Sequence, residues 1–316
     1  MKKRLAVVLA LVLVVAMMLC ACGGSGKTDK IDFATGGTSG TYYGFIGSVA
    51  TTLNEESGMD ITVESTGASQ ANVQLIQIGE NNMAIIQNDI MSYAYNGQFM
   101  FEGNAFQGMS VVMSCYPEDI QIVASPNVSS IEDLAGRTVS VGASDSGTRY
   151  NAEQILASYG ITFDDINVVY ESFADSVDSL KNGTIDAAFI TAGSPTTAVT
   201  ELATSYEFNL LSVDDAHAQA LADEYGFYTT VTIPGGTYSC IEEDVQTVAV
   251  MATIVCSNDL SADTVKAFLT GMFEHAGDIS HAKAAYIKGD TAVSGVSIPF
   301  HPGAVEFFGD MGYDIG

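Results

Sequence analysis

The pentapeptide Ser39-Gly40-Thr41-Tyr42-Tyr43 returns as Ser146-Gly147-Thr148-Arg149-Tyr150, with four of five residues matched at an offset of 107. Glu64-Ser65 recurs at the same offset as Glu171-Ser172. Beyond the next helical stretch the offset becomes 104, which lays GENNMAIIQ (79–87) on GTIDAAFIT (183–191) and sets Gln87 opposite Thr191. Around these landmarks the apolar periodicity alternates between strand and helix. KIDFATG, DITVEST and MAIIQND read as strands, and so do RTVSVGASDSG, NVVYES and IDAAFITAG. Helical spacing covers 42–53, 69–78, 147–159 and 173–182, and Gly79, Gly160 and Gly183 stop the last three.

Alternating strands and helices predict an α/β protein whose parallel sheets are covered on both faces. Two runs on one plan predict two similar lobes. Ligands gather beyond the carboxyl ends of parallel strands. The loops there are TGGTSGT (35–41), STGAS (65–69), QND (87–89), GASDSGT (142–148) and TAGSP (191–195). A loop written twice then supplies one wall of a shared cleft from each lobe.

These loops hold little side-chain bulk and many backbone N–H groups and hydroxyls. Several run into helices, whose first turns leave N–H donors unpaired and carry partial positive charge. Such ends capture carboxylate or phosphate, and Ser39, Thr41, Ser146 and Thr148 add donors. The bland alternative is that the Ser and Thr residues are ordinary helix caps. Arg149 is one of two arginines outside the first few residues, the other being Arg137. Its guanidinium could clamp a carboxylate, or pair on the surface with Glu153 one turn on. Asp89 and Asp145 are candidates for a ligand ammonium, and Tyr42 and Tyr43 for a stacking face or hydroxyl.

Lys2, Lys3 and Arg4 precede an apolar run of 15 residues, Leu5 to Leu19, too short for a comfortable membrane span. The run ends in Leu19-Cys20-Ala21-Cys22, the pattern of a bacterial lipoprotein signal. Residues 1–21 are therefore expected to be a cleaved signal peptide, with Cys22 lipidated and 22–30 a polar tether; an uncleaved anchor is the alternative. The mature part is expected outside the cytoplasm, touching the membrane only through its lipid. Without Lys2, Lys3 and Arg4, 8 of the 11 basic side chains remain against 38 acidic ones. That balance repels phosphate backbones and excludes nucleic acid as a partner. Cys115, Cys240 and Cys256 allow at most one disulfide, with Cys115–Cys240 the pairing considered, and their spacing suits no zinc motif.

Enzyme signatures are missing. GGTSGT (36–41) lacks the lysine of a phosphate-binding loop, GASDSG (142–147) is not a nucleophile elbow, and the four histidines show no metal-ligand spacing. No cofactor and no catalytic residue are expected.

The stretches FATGGTSGTYYGFIGSVA, VESTGASQANVQLI, MAIIQNDI, SIEDLAGRTVSVGASDSGTR, DAAFITAGSPTTAVTELA, TIPGGTYSCIEEDVQTVAV and IPFHPGAVEFFGDMGY, in this order, cover about residues 31–313. Together they resemble the solute-binding proteins of TRAP (tripartite ATP-independent periplasmic) transporters, specifically the TAXI family. SIEDLAGRTVSVG alone is shared by many binding-protein families; TGGTSGTYY, SGTR, the run near 234–250 and the terminal HPGA are together specific. The resemblance implies a type II periplasmic-binding-protein-like fold, with two similar α/β lobes, a hinge and a central ligand cleft. It places lobe 1 at 31–121 plus 245–316 and lobe 2 at 124–240, with the hinge near IQIVAS and TVAVMAT. It implies a monomeric receptor that hands a glutamate- or glutamine-like acid to a TRAP permease driven by an ion gradient. A permease of the ABC type and a sensory role on the same fold are the alternatives, with a cleft enzyme the least favoured. By position it implies Ser39, Thr41, Tyr42, Thr66, Gln87, Asp89, Thr148, Arg149 and Gly193 as ligand-binding residues. Ser239-Cys240 stands where that family usually has Pro-Gly, and Asn88 where it has a small residue.

Overall fold

The computed structural model describes residues 28–316. The expected signal peptide, Cys22 and the first part of the tether lie outside the described residues. The chain opens with β1 (Ile31–Ala34), α1 (Thr41–Glu56), β2 (Ile61–Glu64), α2 (Ser69–Ile78), β3 (Met83–Gln87) and α3 (Asn88–Asn96). A long strand, β4 (Met109–Ala124), leads to the second run. That run is β5 (Thr138–Ser140), α4 (Gly147–Ser158), β6 (Asn167–Val169), α5 (Phe173–Lys181) and β7 (Ala187–Ala192). There follow α6 (Thr197–Ala203), β8 (Asn209–Leu211), α7 (Asp215–Tyr225), β9 (Thr229–Ile233) and a second long strand, β10 (Val245–Ser257). The chain closes with α8 (Ala262–Glu274), α9 (Gly289–Ala292) and α10 (Pro302–Asp310).

The repeat is visible in the topology. β1 lies parallel between β2 and β3, and β5 parallel between β6 and β7. β3 and β7 are buried along their whole length, which explains their unbroken apolar runs. The glycines that end α2, the α4 region and the α5 region, Gly79, Gly160 and Gly183, all have positive φ (75°, 72° and 71°), a conformation that side chains resist.

The expectation of two separate parallel sheets is modified. β4 and β10 run antiparallel to their neighbours and join everything into one sheet of order β2-β1-β3-β10-β4-β7-β5-β6, with β8 beside β4 and β9 beside β10. Each long strand serves both halves. β10 pairs with β9 over Val245–Ala249 and with β3 over Ala252–Cys256, while β4 passes from β10 to β7 at Asp119. The handover sets Pro117-Glu118-Asp119 against Ala249–Met251, beside a register shift between Met251 and Thr253. Asn88 secures that irregularity: its Oδ1 accepts the Met251 N–H at 3.0 Å, and its Nδ2 donates to the Gly295 carbonyl at 3.4 Å.

Four apolar cores follow the same division. Two are built from buried residues of 31–116 and 252–308, two from 120–250. Cys115 and Cys256 are buried in one of the first pair and Cys240 borders one of the second, so the considered disulfide does not form and all three thiols are free. Among the described residues no helix is long and apolar enough to cross a membrane.

Candidate functional site

The recurring loops become helix starts that face one another. α1 begins after Gly40, which has no side chain to cap it, so its first-turn N–H groups are left for a ligand or solvent. α4 begins after Ser146, whose hydroxyl accepts the Arg149 N–H at 3.3 Å, and α5 after Ser172, which accepts the Asp175 N–H at 3.2 Å. α2 differs: its Gln70 and Ala71 N–H groups donate to the Asp145 carbonyl of the other half at 3.1 and 3.2 Å. Its donors already join the two halves.

Between these helix starts lies a cavity of about 80 Å³. One side is Gly40, Thr41 and Tyr42 with the segment Thr66–Ser69; the other is Ser146, Gly147 and Thr148 with Ser172 and Phe173. Gln87, Glu118 and Thr191 form the floor, at or beyond the ends of β3 and β7 and at the handover in β4. The space suits a small solute, and hydroxyls and backbone N–H groups dominate its polar lining.

Two sets of contacts pull the halves together around it. In the first, Gln87 Nε2 and Thr191 Oγ1, the residues that the repeat sets opposite each other, both donate to Asn151 Oδ1, at 2.5 and 3.1 Å. Asn151 Nδ2 then donates to Asp89 Oδ2 and approaches the Tyr228 hydroxyl, each at 3.0 Å. Burial pushes the Asp89 carboxyl up to about 6, against hydrogen bonds from Ile90 and Asn151 that lower it. In the second set, Thr41 Oγ1 donates to the Gly193 carbonyl at 3.0 Å, Lys283 Nζ donates to the Ser194 carbonyl at 2.9 Å, and the Ala198 N–H donates to the Ser39 carbonyl at 3.3 Å. A Cβ on Gly193 would overlap Lys283 Cε; glycine there makes room for the lysine.

Of the residues singled out in the sequence, Thr41, Tyr42, Thr66, Gln87 and Thr148 line the cavity. Ser39 and Gly193 sit beside it in the closing contacts, and Asp89 sits one layer behind, in the first turn of α3 and not in a loop. Arg149 does not line the cavity. Its Nη2 lies 3.6 Å from Glu153 Oε2, and its guanidinium covers the rings of Tyr150 (4.5 Å) and Phe163 (5.8 Å). The surface alternative considered from the sequence is the one observed. Asp145 is exposed, and contributes its carbonyl to the α2 start. Asn88 braces β10 and also stays out of the wall. His301 caps α10, accepting the Gly303 N–H at 3.2 Å, with its other ring nitrogen on the Leu260 carbonyl.

The sequence reading missed Glu118, Asn151 and Lys283. For Asn151 a signal existed, since it follows Gly147 and Thr148 by one helical turn and so shares their face. Glu118 lies inside a strand and is only 1 % exposed; its Oε2 accepts the Tyr42 hydroxyl at 2.6 Å. Lys283 lies on the short turn Ala282–Tyr286, 89 residues from Ser194. No local pattern announces either.

The architecture is shared with solved structures at low sequence identity. The alkanesulfonate-binding protein SsuA from Xanthomonas axonopodis pv. citri, bound to MOPS, is 14% identical, with 90% of this chain and 85% of that one covered at a TM-score of 0.54. PhnD1 from Prochlorococcus marinus in complex with methylphosphonate is 11% identical, with 81% and 88% covered at 0.52. A putative L-cystine ABC transporter protein from Listeria monocytogenes is 12% identical, with 84% and 98% covered at 0.50. At these identities the likeness establishes the fold, which is that of periplasmic solute-binding proteins. The sequence profile of the NMT1-like family matches residues 33–312, nearly all of the described chain, and the protein belongs to that family.

Proposed function

We propose that this protein is an extracytoplasmic solute-binding receptor that captures a small carboxylate or acidic amino acid and delivers it to a membrane permease. The observation that carries this reading is the cavity walled by the starts of α1, α4 and α5 from two sheet halves that touch across it. Helix starts with hydroxyls suit an anion, and hydrogen bonds to a charged group contribute about 1.5–3 kcal/mol each. Alkanesulfonate and methylphosphonate, named for two structural neighbours, are anions as well. The two halves are the proposed lobes, 31–121 with 245–316 and 124–240, swinging about the strand handover.

For the permease, the resemblance to TAXI receptors supports an ion-driven TRAP partner. The Listeria neighbour, described with an ABC transporter, supports an ATP-driven one, and the structural neighbours favour this second reading. Uptake lost when the ion gradient is collapsed with ATP intact supports the first; uptake lost on ATP depletion with the gradient held supports the second. The receptor itself is tested by calorimetric titration of L-glutamate into protein unfolded and refolded to strip carried-over solute. Micromolar or tighter binding is expected. No heat at several temperatures removes glutamate as the solute, and the wash from the unfolding step then contains the compound to identify.

A further inference from the structure

Glu118 is the one acidic side chain in the cavity wall among the described residues. One carboxyl oxygen, Oε2, accepts the Tyr42 hydroxyl; Oε1 has no hydrogen-bond partner among the described residues. No ion pair among the described residues includes Glu118. Lys283 is close enough to act on it, yet its amine donates to the Ser194 carbonyl and lies over the rings of Tyr116 and Tyr286. The titratable groups that face Glu118 are Tyr42 from α1, Cys115, Tyr116 and Asp119 from β4, Asp89 from α3, and Lys283. Two of these are further carboxyls, and Asp119 is engaged by the Ser194 hydroxyl.

A carboxylate buried this far, with one hydrogen bond, no paired cation and acidic neighbours, is costly to hold ionised. Burial drives the Glu118 carboxyl well above the usual range; the Tyr42 hydrogen bond and Lys283 lower it only in part. An ionised Glu118 would also repel the anion for which the surrounding helix starts are suited. A neutral carboxyl reverses that conflict. With Tyr42 donating to one oxygen, the other can carry a proton into the cavity.

We propose that Glu118 is a ligand-contacting residue that meets the bound oxyanion as a neutral acid and donates a hydrogen bond from Oε1 to one of its oxygens. The inference rests on the receptor reading and narrows it. The preferred group at the β4 end of the cavity is an acceptor such as a carboxylate, phosphonate or sulfonate oxygen, and a ligand ammonium belongs elsewhere. Where Glu118 is ionised in the empty protein, each anion captured takes up one proton. Affinity is then level at low pH and falls about tenfold per pH unit above the point where Glu118 titrates.

The test uses refolded, solute-free protein carrying glutamate labelled with ¹³C at the side-chain carboxyl, with Glu118→Gln to assign the resonance. The expected result is a Glu118 carboxyl in its neutral position at pH 7. L-Glutamate titrated between pH 6 and 8.5 should then bind wild type with affinity that is level, without proton uptake, below the point where Glu118 titrates and that falls, with proton uptake, above it, and bind Glu118→Gln, whose amide is a permanent donor, with no pH dependence. A Glu118 resonance in the ionised position at pH 7, with no proton taken up when L-glutamate binds, overturns the proposal. So does affinity that rises with pH and drops tenfold or more in Glu118→Gln, which would make the carboxylate an acceptor for the ligand's ammonium. If L-glutamate gives no heat with either protein, the solute assignment falls, and the position of the resonance alone decides for or against a neutral Glu118.

Discussion

A Cβ on Gly147 would land on Oε1 of Gln87 and lie 3.0 Å from Ile90 Cγ1. The start of α4 thus rests directly on the side chains of Gln87 and Ile90, and glycine is required by that close approach rather than by φ. Gly147→Ala is expected to cost about 1–3 kcal/mol through that overlap, measured by urea unfolding, with the two halves held further apart in solution scattering. An alanine variant of full stability would show that the halves do not meet there. Asp89 makes a different prediction. Its buried carboxyl is pushed up to about 6 from the ordinary 3.8, so the stability it contributes is full below the unfolded value and is lost as the pH rises towards 6. The difference in stability between Asp89→Asn and wild type should therefore grow in favour of the variant between pH 4 and pH 6, by about 2 kcal/mol. A difference that stays constant over that window would mean that Asp89 ionises without penalty.

At the scale of elements, the proposed anion capture falls to helix starts and not to a cationic side chain. Arg149 belongs to the first turn of α4, but its guanidinium is spent on Glu153 and on the rings of Tyr150 and Phe163. Arg149→Ala is expected to leave solute affinity within about twofold, and a tenfold loss by calorimetry would place the guanidinium in the cavity. Thr41 makes the opposite case. Its hydroxyl closes α1 onto the Gly193 carbonyl, and a neutral hydrogen bond contributes about 1 kcal/mol, so Thr41→Val should weaken binding about fivefold. The helix boundaries were legible because glycines and periodicity are local signals: the 69–78 helix and its Gly79 stop are found as expected. Gln87-Asn88-Asp89 was misread as a loop for an equally physical reason. A polar trio after an apolar run looks like a turn, but here its polar atoms are consumed by Asn151, by the Met251 N–H and by the Ile90 N–H, which lets the trio sit buried, with Gln87 ending β3 and Asn88-Asp89 beginning α3.

Over the whole molecule, the proposed closing motion depends on contacts that bridge the two halves, and Lys283 makes one of them. It extends from the segment after α8 to a carbonyl just past β7. Lys283→Met should lower solute affinity about tenfold by removing a contact of the closed arrangement, with a smaller effect on unfolding. Unchanged affinity, measured by calorimetry, would assign the lysine to packing alone. The alternation of strands and helices, their doubling at an offset of 107 and the gathering of SGT loops at one end of the sheet were determined by the sequence itself. Periodicity, caps and stopping glycines act over a few residues, and each copy of the plan repeats them. The joining of both halves into one sheet, the burial of Glu118 beneath Tyr42 and the meeting of Gln87 and Thr191 on Asn151 were decided only by tertiary structure. These contacts span 76, 64 and 40 residues. They exist because β4 and β10 each change partners midway, carrying polar side chains into a floor where only the folded chain can say what surrounds them.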